Sequence, residues 1–158
     1  MKGEVVHEAE FGFPASTVWE IYGSIRLARL VVKSLPDLFA KAELVEGDGG
    51  VGSVLLVTFS SGLDYKEKFV IMDNEKRMKL VEGIGGGFME ASGLKKYVVR
   101  MEVIEKGEDV SVARTTVEYE IDESSGASAS SMNTDTFVAI AEAVKKHLSH
   151  GGEEGTEF

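Results

Sequence analysis

Glu67 is the residue of this sequence best placed to act as an acid or a base. It lies in the stretch Asp64–Met72, where Tyr65, Glu67, Phe69 and Ile71 alternate with lysines as side chains do along a β-strand. The lysine face is solvated, so Glu67 is predicted to lie on the buried face. A buried carboxylate is costly unless it is paired or protonated, and a shifted pKa suits it to proton transfer. The pattern also allows Glu67 to lie at the rim of the core and reach water.

Lys79 is the second candidate, and its direction depends on the register of a hairpin. The turn Asp73–Glu75 connects the strand Asp64–Met72 to the strand that contains Lys79. With a three-residue loop, Lys79 pairs with Phe69 and faces inward, near Glu67. A register shifted by one residue turns Lys79 towards water and places Met78 and Leu80 in the core. The pattern alone mildly favours this second register and leaves Lys79 undecided.

The charge balance of the chain excludes several classes of function. Its 158 residues include 17 lysines and arginines and 27 aspartates and glutamates, so the formal net charge is −10. Nucleic acids and anionic membranes attract basic surfaces, so neither is an expected partner. The absence of cysteine excludes disulfides, thiolate chemistry and cysteine-bound metals. We find no signal peptide and no long apolar span, so we expect a cytoplasmic protein.

Hydrophobic periodicity predicts the elements that must position these residues. Besides the hairpin, the pattern predicts a strand over 5–11, short helices over 17–22 and 25–32, strands over 39–45, 53–59, 96–104 and 110–121, and a long amphipathic helix over 135–149. Strands joined by short turns form an antiparallel sheet, and one long helix packed on it gives an α+β fold. We expect a single domain over residues 1–150 and a disordered tail over 151–158.

Two glycine-rich segments interrupt the strands. The segment Gly47–Gly52 formally contains G-x-G-x-x-G, but the residues after it predict a strand instead of the helix that a dinucleotide site requires. We interpret it as a connection between strands. The segment Gly83–Gly87 lies inside the predicted sheet, where glycines mark a bend, a bulge or room for a ligand.

From residue 2 to about 150, the pattern resembles the birch-pollen-allergen fold of the class 10 pathogenesis-related plant proteins. The order of elements and the glycine-rich loop agree with that family. The motif Tyr65-Lys66-Glu67-Lys68-Phe69, followed by Asp73-Asn74-Glu75 and Arg77-Met78-Lys79, resembles the branch that contains norcoclaurine synthases and norbelladine synthases. The resemblance implies a curved seven-stranded antiparallel sheet around the long C-terminal helix, with two short helices between strands 1 and 2 and an internal cavity.

The resemblance also implies an activity and a set of site residues. In this branch an aromatic amine such as dopamine or tyramine condenses with an aldehyde in a Pictet–Spengler-type reaction, without a metal or cofactor. Lys79, Glu67 and Tyr65 would be catalytic, and Lys79 would face inward. The residues expected to bind the ligand are Phe69, Val81, Tyr97, Val99, Phe137 and Ile140. A monomer or weak homodimer is expected.

Two positions depart from the norcoclaurine synthase pattern. Val99, or a neighbour of it, stands where those enzymes carry an aspartate, and Thr136 stands where a proline occurs near the start of the long helix. The alternative function is a non-catalytic carrier of a small hydrophobic plant ligand, such as a hormone or flavonoid, in the same cavity. A ribonuclease is disfavoured by the acidic charge and by the absence of a paired-histidine site.

Overall fold

In the computed structural model, which describes residues 1–127 and 132–151, a seven-stranded antiparallel sheet combines with four α-helices. The elements are β1 (Lys2–Phe11), α1 (Ala15–Tyr22), α2 (Arg26–Ser34), β2 (Phe39–Glu46), β3 (Val54–Phe59), β4 (Asp64–Asp73), β5 (Met78–Gly85), α3 (Gly87–Ala91), β6 (Leu94–Gly107), β7 (Val110–Ile121) and α4 (Asp135–Ser149). The strands follow the order β1-β7-β6-β5-β4-β3-β2. The predicted α+β fold and its curved sheet are therefore confirmed.

The helices cover the inner face of the sheet and complete the core. Ile140, Ala141 and Val144 form the buried side of α4, and they pack in one cluster with the inward side chains of the strands. The indole Nε1 of Trp19 in α1 donates a hydrogen bond of 2.9 Å to Asn74 Oδ1 in the β4–β5 turn. This contact ties the first helix to the hairpin that carries Lys79.

The end of the chain is described only in part. A short 3₁₀ turn, Glu123–Ser125, follows β7. The predicted tail over 151–158 lies outside the described residues, except for Gly151, which is exposed. No helix in the described part is both long and apolar enough to cross a lipid bilayer.

A bulge in β4 determines which side chains of the hairpin face inward. Phe69 pairs with Val81 and Met72 pairs with Lys79, and the register shifts between Phe69 and Ile71. The extra residue reverses the alternation, so Ile71 is 38% exposed and the prediction that it shares the buried face of Phe69 is wrong.

Lys79 faces the interior, with only 5% of its surface exposed. The predicted pairing of Lys79 with Phe69 is wrong, because Phe69 pairs with Val81. Val81 lies two residues after Lys79 on β5, so both side chains point to the same face of that strand. The alternative register, with Met78 and Leu80 in the core and Lys79 in water, is also wrong, since both apolar residues are only partly buried.

The glycines around Gly86 let helix α3, which the sequence analysis did not predict, lie against β4. Gly86 has φ 116°, and a Cβ there would lie 2.5 Å from the Tyr65 Cα. Asp64 Oδ1 accepts a 3.0 Å hydrogen bond from the Gly87 amide. The other glycine-rich segment, Gly47–Gly52, joins β2 to β3 as predicted.

Candidate active site

An internal cavity of about 390 Å³ lies between the sheet and helices α2 and α4. Its size is within the range of small-molecule sites. All nine residues that the sequence predicted for the site line it: Tyr65, Glu67, Phe69, Lys79, Val81, Tyr97, Val99, Phe137 and Ile140. Residues from β4, β5, β6 and α4 thus meet around one space, while their catalytic and binding roles stay predictions.

Glu67 and Tyr65 form a hydrogen-bonded pair inside the cavity. They lie two residues apart on β4, so both point to the same face, and Tyr65 Oη donates to Glu67 Oε2 over 2.5 Å. Burial raises the pKa of Glu67, against the opposing effects of the Tyr65 hydrogen bond and the Lys79 charge. Burial, followed by the charge of Glu67, raises the pKa of Tyr65 well above its usual value. Tyr65 therefore stays protonated and remains a donor.

Lys79 is a buried amine without a close charged partner. It pairs with Met72 on β4 and Met101 on β6, and its Nζ lies 5.6 Å from the centre of the Phe69 ring. It forms no ion pair or hydrogen bond with any described residue. Burial lowers the pKa of Lys79 from 10.5 to about 8, although the charge of Glu67 acts in the opposite direction. An amine with such a pKa exchanges protons near neutral pH.

Four aromatic rings close the cavity beside Glu67. The rings of Phe59 and Tyr65 are stacked, with centroids 5.7 Å apart. Tyr97 meets both Tyr65 and Phe88 edge-on, at centroid distances of 6.0 Å and 5.4 Å. Burial raises the pKa of Tyr97, so its phenol also stays neutral. The sequence analysis missed Phe59 and Phe88, although the aromatic residue after the Gly83–Gly87 run was an available signal.

Gly83 lets Met89 and Tyr97 pack closely against the sheet beside Glu67. It pairs directly with Glu67 across the β4–β5 ladder. A Cβ at this position would lie 3.0 Å from the Met89 sulfur and 3.4 Å from the Tyr97 Cβ. A side chain there would have to displace these neighbours, so the glycine is required by the close packing of Met89 and Tyr97.

Polar residues line the cavity away from this cluster. They are Ser24, Asp37, Ser61, Asn133 and Thr136. Thr136 stands at the position where the sequence resemblance expected a proline. Val99, which stands at or next to the position that departs from the aspartate of the norcoclaurine synthase pattern, is buried and apolar. Across the described cavity wall, the charged residues are therefore Asp37, Glu67 and Lys79. This arrangement can hold an aromatic ligand and move protons at two sites.

Comparison with known proteins agrees with this geometry. The sequence model of the family described as "Pathogenesis-related protein Bet v 1 family" matches residues 1–151. Norbelladine synthase of Narcissus pseudonarcissus is 44% identical over 152 residues, which cover 94% of this chain and 93% of that protein. S-norcoclaurine synthase of Thalictrum flavum subsp. glaucum is 38% identical over 118 residues, which cover 73% of this chain and 55% of that protein.

Solved structures give the same result. Norcoclaurine synthase from Thalictrum flavum in complex with dopamine and hydroxybenzaldehyde superimposes with a TM-score of 0.82, at 32% identity, over 95% of this chain and 88% of that one. A point mutant of that enzyme bound to a transition state analogue superimposes with a TM-score of 0.83, at 34% identity, over 96% of this chain and 97% of the other. The chain therefore belongs to the Pathogenesis-related protein Bet v 1 family.

Proposed function

We propose that this protein condenses an aromatic amine of the dopamine or tyramine type with an aldehyde, in a Pictet–Spengler-type reaction of plant alkaloid biosynthesis. The similarity to norbelladine synthase and to norcoclaurine synthases supports this activity. The observation that carries the proposal is the presence of Glu67, bonded to Tyr65, and the unpaired Lys79 in one cavity. Two proton-transfer groups in a space that fits two small aromatic molecules match the needs of this reaction.

The proposed steps assign one task to each group. The amine nitrogen attacks the aldehyde carbon, and Lys79 donates a proton to the hydroxyl that leaves as water, giving an iminium ion. The electron-rich ring then attacks the iminium carbon, and Glu67 accepts the ring proton when aromaticity returns. Because burial raises the pKa of Glu67, its carboxylate is a stronger base than an exposed one. Tyr65 holds that carboxylate in place and hydrogen-bonds the intermediate.

The apolar wall supplies binding and orientation. Phe69 is almost fully buried and presents its ring to the cavity, where it can stack on a substrate ring. Val81, Val99 and Ile140 exclude water around the reacting atoms. Since one chain lines the whole described cavity, we propose that a monomer or weak homodimer in the cytoplasm is sufficient. The proposed steps require no metal or cofactor.

An enantioselectivity assay tests the proposal. The protein is incubated with dopamine and a panel of aryl and alkyl aldehydes, and the cyclised products are separated by chiral chromatography. We expect enantiomeric excess, and a rate above that of the buffer reaction, for at least one aldehyde. Racemic product at the buffer rate for every pair would contradict the proposal.

A carrier of a small hydrophobic ligand is the second candidate, and the apolar Val99 wall favours it. Glu67 and Lys79 would then orient the ligand. The variants Glu67→Gln and Lys79→Ala distinguish the two functions. In an enzyme they abolish turnover and leave ligand binding largely intact, whereas in a carrier they weaken binding and there is no turnover to lose.

A further inference from the structure

The mouth of the cavity is formed by those lining residues that water also reaches. Of the described lining residues, the exposed ones are Asp37, Leu38, Ser61, Leu63 and Asn133. They lie on three connections: between α2 and β2, between β3 and β4, and just before α4. Asp37 is the charged member of this set, since the other charged lining residues, Glu67 and Lys79, belong to strands β4 and β5. The described mouth of the cavity therefore carries a negative charge.

The backbone on both sides of Asp37 is fixed by one residue of the β3–β4 connection. Ser60 Oγ donates a hydrogen bond of 2.6 Å to the Pro36 carbonyl oxygen. The Ser60 amide donates a second one, of 3.0 Å, to the Leu38 carbonyl oxygen. Ordering a short side chain on a fixed backbone costs little conformational entropy. Asp37 is therefore held ready to meet a ligand at the mouth.

The carboxylate of Asp37 is not used by the fold. It forms no ion pair and no hydrogen bond with any described residue. Other aspartates of the chain accept hydrogen bonds from backbone amides and so stabilise local structure, namely Asp48, Asp64, Asp73 and Asp122. The oxygens of Asp37 thus keep their acceptor capacity free for a ligand.

The leucines of the mouth place apolar surface beside this carboxylate. Leu38 follows Asp37 in the chain, Leu63 lies on the β3–β4 connection, and each is 39% exposed. Apolar surface next to one negative charge is complementary to an aromatic ring that carries a cationic side chain. A primary alkyl amine resembles the lysine side chain, whose pKa is about 10.4, so an arylalkylamine is a cation at neutral pH.

We propose that Asp37, Leu38 and Leu63 form an entry site that selects the protonated arylalkylamine and holds it at the mouth of the cavity. The identity of the amine rests on the condensation proposed above. At the mouth the ammonium group can give its proton to water, and the neutral amine then enters the apolar interior at a lower desolvation cost than the cation. A neutral aldehyde gains nothing from Asp37, so the entry site acts on the amine alone.

Equilibrium dialysis with two matched ligands tests the entry site. Dopamine is compared with hydroxytyrosol, which has the same ring and chain but a hydroxyl group in place of the ammonium, near pH 7 and without aldehyde. We expect Asp37→Asn to bind dopamine about two- to fivefold more weakly than the wild type does, which is the range of an exposed charge pair. Binding of hydroxytyrosol should not change. Raising the salt concentration from about 20 to about 300 mM should weaken dopamine binding to the wild type more than to Asp37→Asn.

Two further variants separate the charge from the apolar contact. Asp109→Asn removes the same charge from the exposed β6–β7 turn, which does not line the cavity, and should leave the binding of both ligands unchanged. Leu63→Ser removes apolar surface at the mouth and should weaken both ligands to the same degree. Thermal melting of each variant checks that it is folded.

The outcomes distinguish the entry site from the proposed function. Equal effects of Asp37→Asn on dopamine and hydroxytyrosol, or no effect on either, would overturn the entry site even in a protein that turns over enantioselectively. A loss confined to dopamine would support it. If that selective loss occurs in a protein that gives no product above the buffer reaction with any aldehyde, the entry site stands and the condensation is refuted.

Discussion

Glu67 and Glu118 are two glutamates of the same sheet that face opposite sides of it. Glu118 lies on β7 with its side chain 41% exposed, 3.3 Å from Arg100 Nη2 and 3.7 Å from Lys96 Nζ. Glu67 faces the cavity, where its hydrogen-bond partner is the neutral phenol of Tyr65. Exposed ion pairs contribute about 0–1 kcal/mol, because water already solvates both charges. The ion pairs on the outer face should therefore contribute little to the free energy of unfolding. On the inner face, burial raises the pKa of Glu67 and lowers that of Lys79.

Lys96 and Lys79 show the same contrast between the outer and the inner face of the sheet. Lys96 points outward from β6 to Glu118, and Lys79 points inward from β5 to a ring face. Thus the Lys96 amine on β6 has a carboxylate partner, whereas the Lys79 amine on the adjacent strand β5 has none among the described residues. Proton-transfer chemistry is therefore expected at the inner amine, because burial moves the pKa of Lys79 towards neutrality.

The largest expected difference between the inner and the outer face is in kcat, which Glu67→Gln should lower far more than Glu118→Gln does. Gln can still accept the Tyr65 hydrogen bond but cannot take a proton, so we expect kcat to fall about 10²–10⁴-fold with substrate affinity nearly unchanged. Steady-state kinetics and equilibrium binding measure the two effects. Glu118→Gln is the matched control, and a similar kcat loss in both variants would show that the inner carboxylate has no special role.

Stability should depend on pH through Lys79, because burial shifts the pKa of this amine. The folded-state pKa of Lys79, about 8, lies below its usual 10.5, so the unfolded chain binds more protons between these values. The free energy of unfolding of the wild type should therefore rise relative to Lys79→Met between pH 8 and 10.5, by about 3 kcal/mol at most. Urea titrations over this pH range provide the measurement. If the two curves run parallel, Lys79 is not a desolvated amine.

Tyr65→Phe should have a smaller effect on turnover. The variant removes the hydrogen bond that holds the pKa of Glu67 down, so that pKa should rise further. We expect a loss of about tenfold in kcat and a shift of the acidic limb of the pH–rate profile to higher pH, because less carboxylate is ionised. The profile is the informative readout, and an unshifted acidic limb would argue against coupling between the two side chains.

The outer face provides the smallest expected change. Glu118→Gln removes the exposed contacts with Arg100 and Lys96 and should alter the free energy of unfolding by less than about 0.5 kcal/mol. Thermal melting at low and moderate salt measures it. A loss of several kcal/mol would mean that the outer charges stabilise the sheet as strongly as its core does.

Strand alternation was sufficient to predict the inner face of the first half of β4. Tyr65, Glu67 and Phe69 share a face as predicted, because β4 pairs with β3 without a register shift over this stretch, and the shift between Lys66 and Glu67 in the β4–β5 ladder places its extra residue on β5. The bulge after Phe69 leaves no compositional mark, so the inward turn of Met72 and the exposure of Ile71 could not be predicted from alternation. The direction of Lys79 depends on that bulge, and only the family resemblance indicated it.

Helix α3 was missed for a related physical reason. It has five residues and begins at a glycine, so neither periodicity nor propensity favours a helix there. Its position depends on the close approach of Gly86 to Tyr65, which is a tertiary contact. The glycine run before Phe88 was a signal in the sequence, but the entry of Phe88 into the cavity depends on that contact.

The most direct test of the catalytic claim is a paired measurement on Lys79→Met and Lys96→Met. Both substitutions remove an amine from the same sheet, one inside the cavity and one on the surface. With dopamine and an accepted aldehyde, we predict that Lys79→Met falls to the buffer rate and gives racemic product while remaining folded, and that Lys96→Met keeps wild-type turnover and enantioselectivity. Wild-type turnover in a folded Lys79→Met variant would contradict the account.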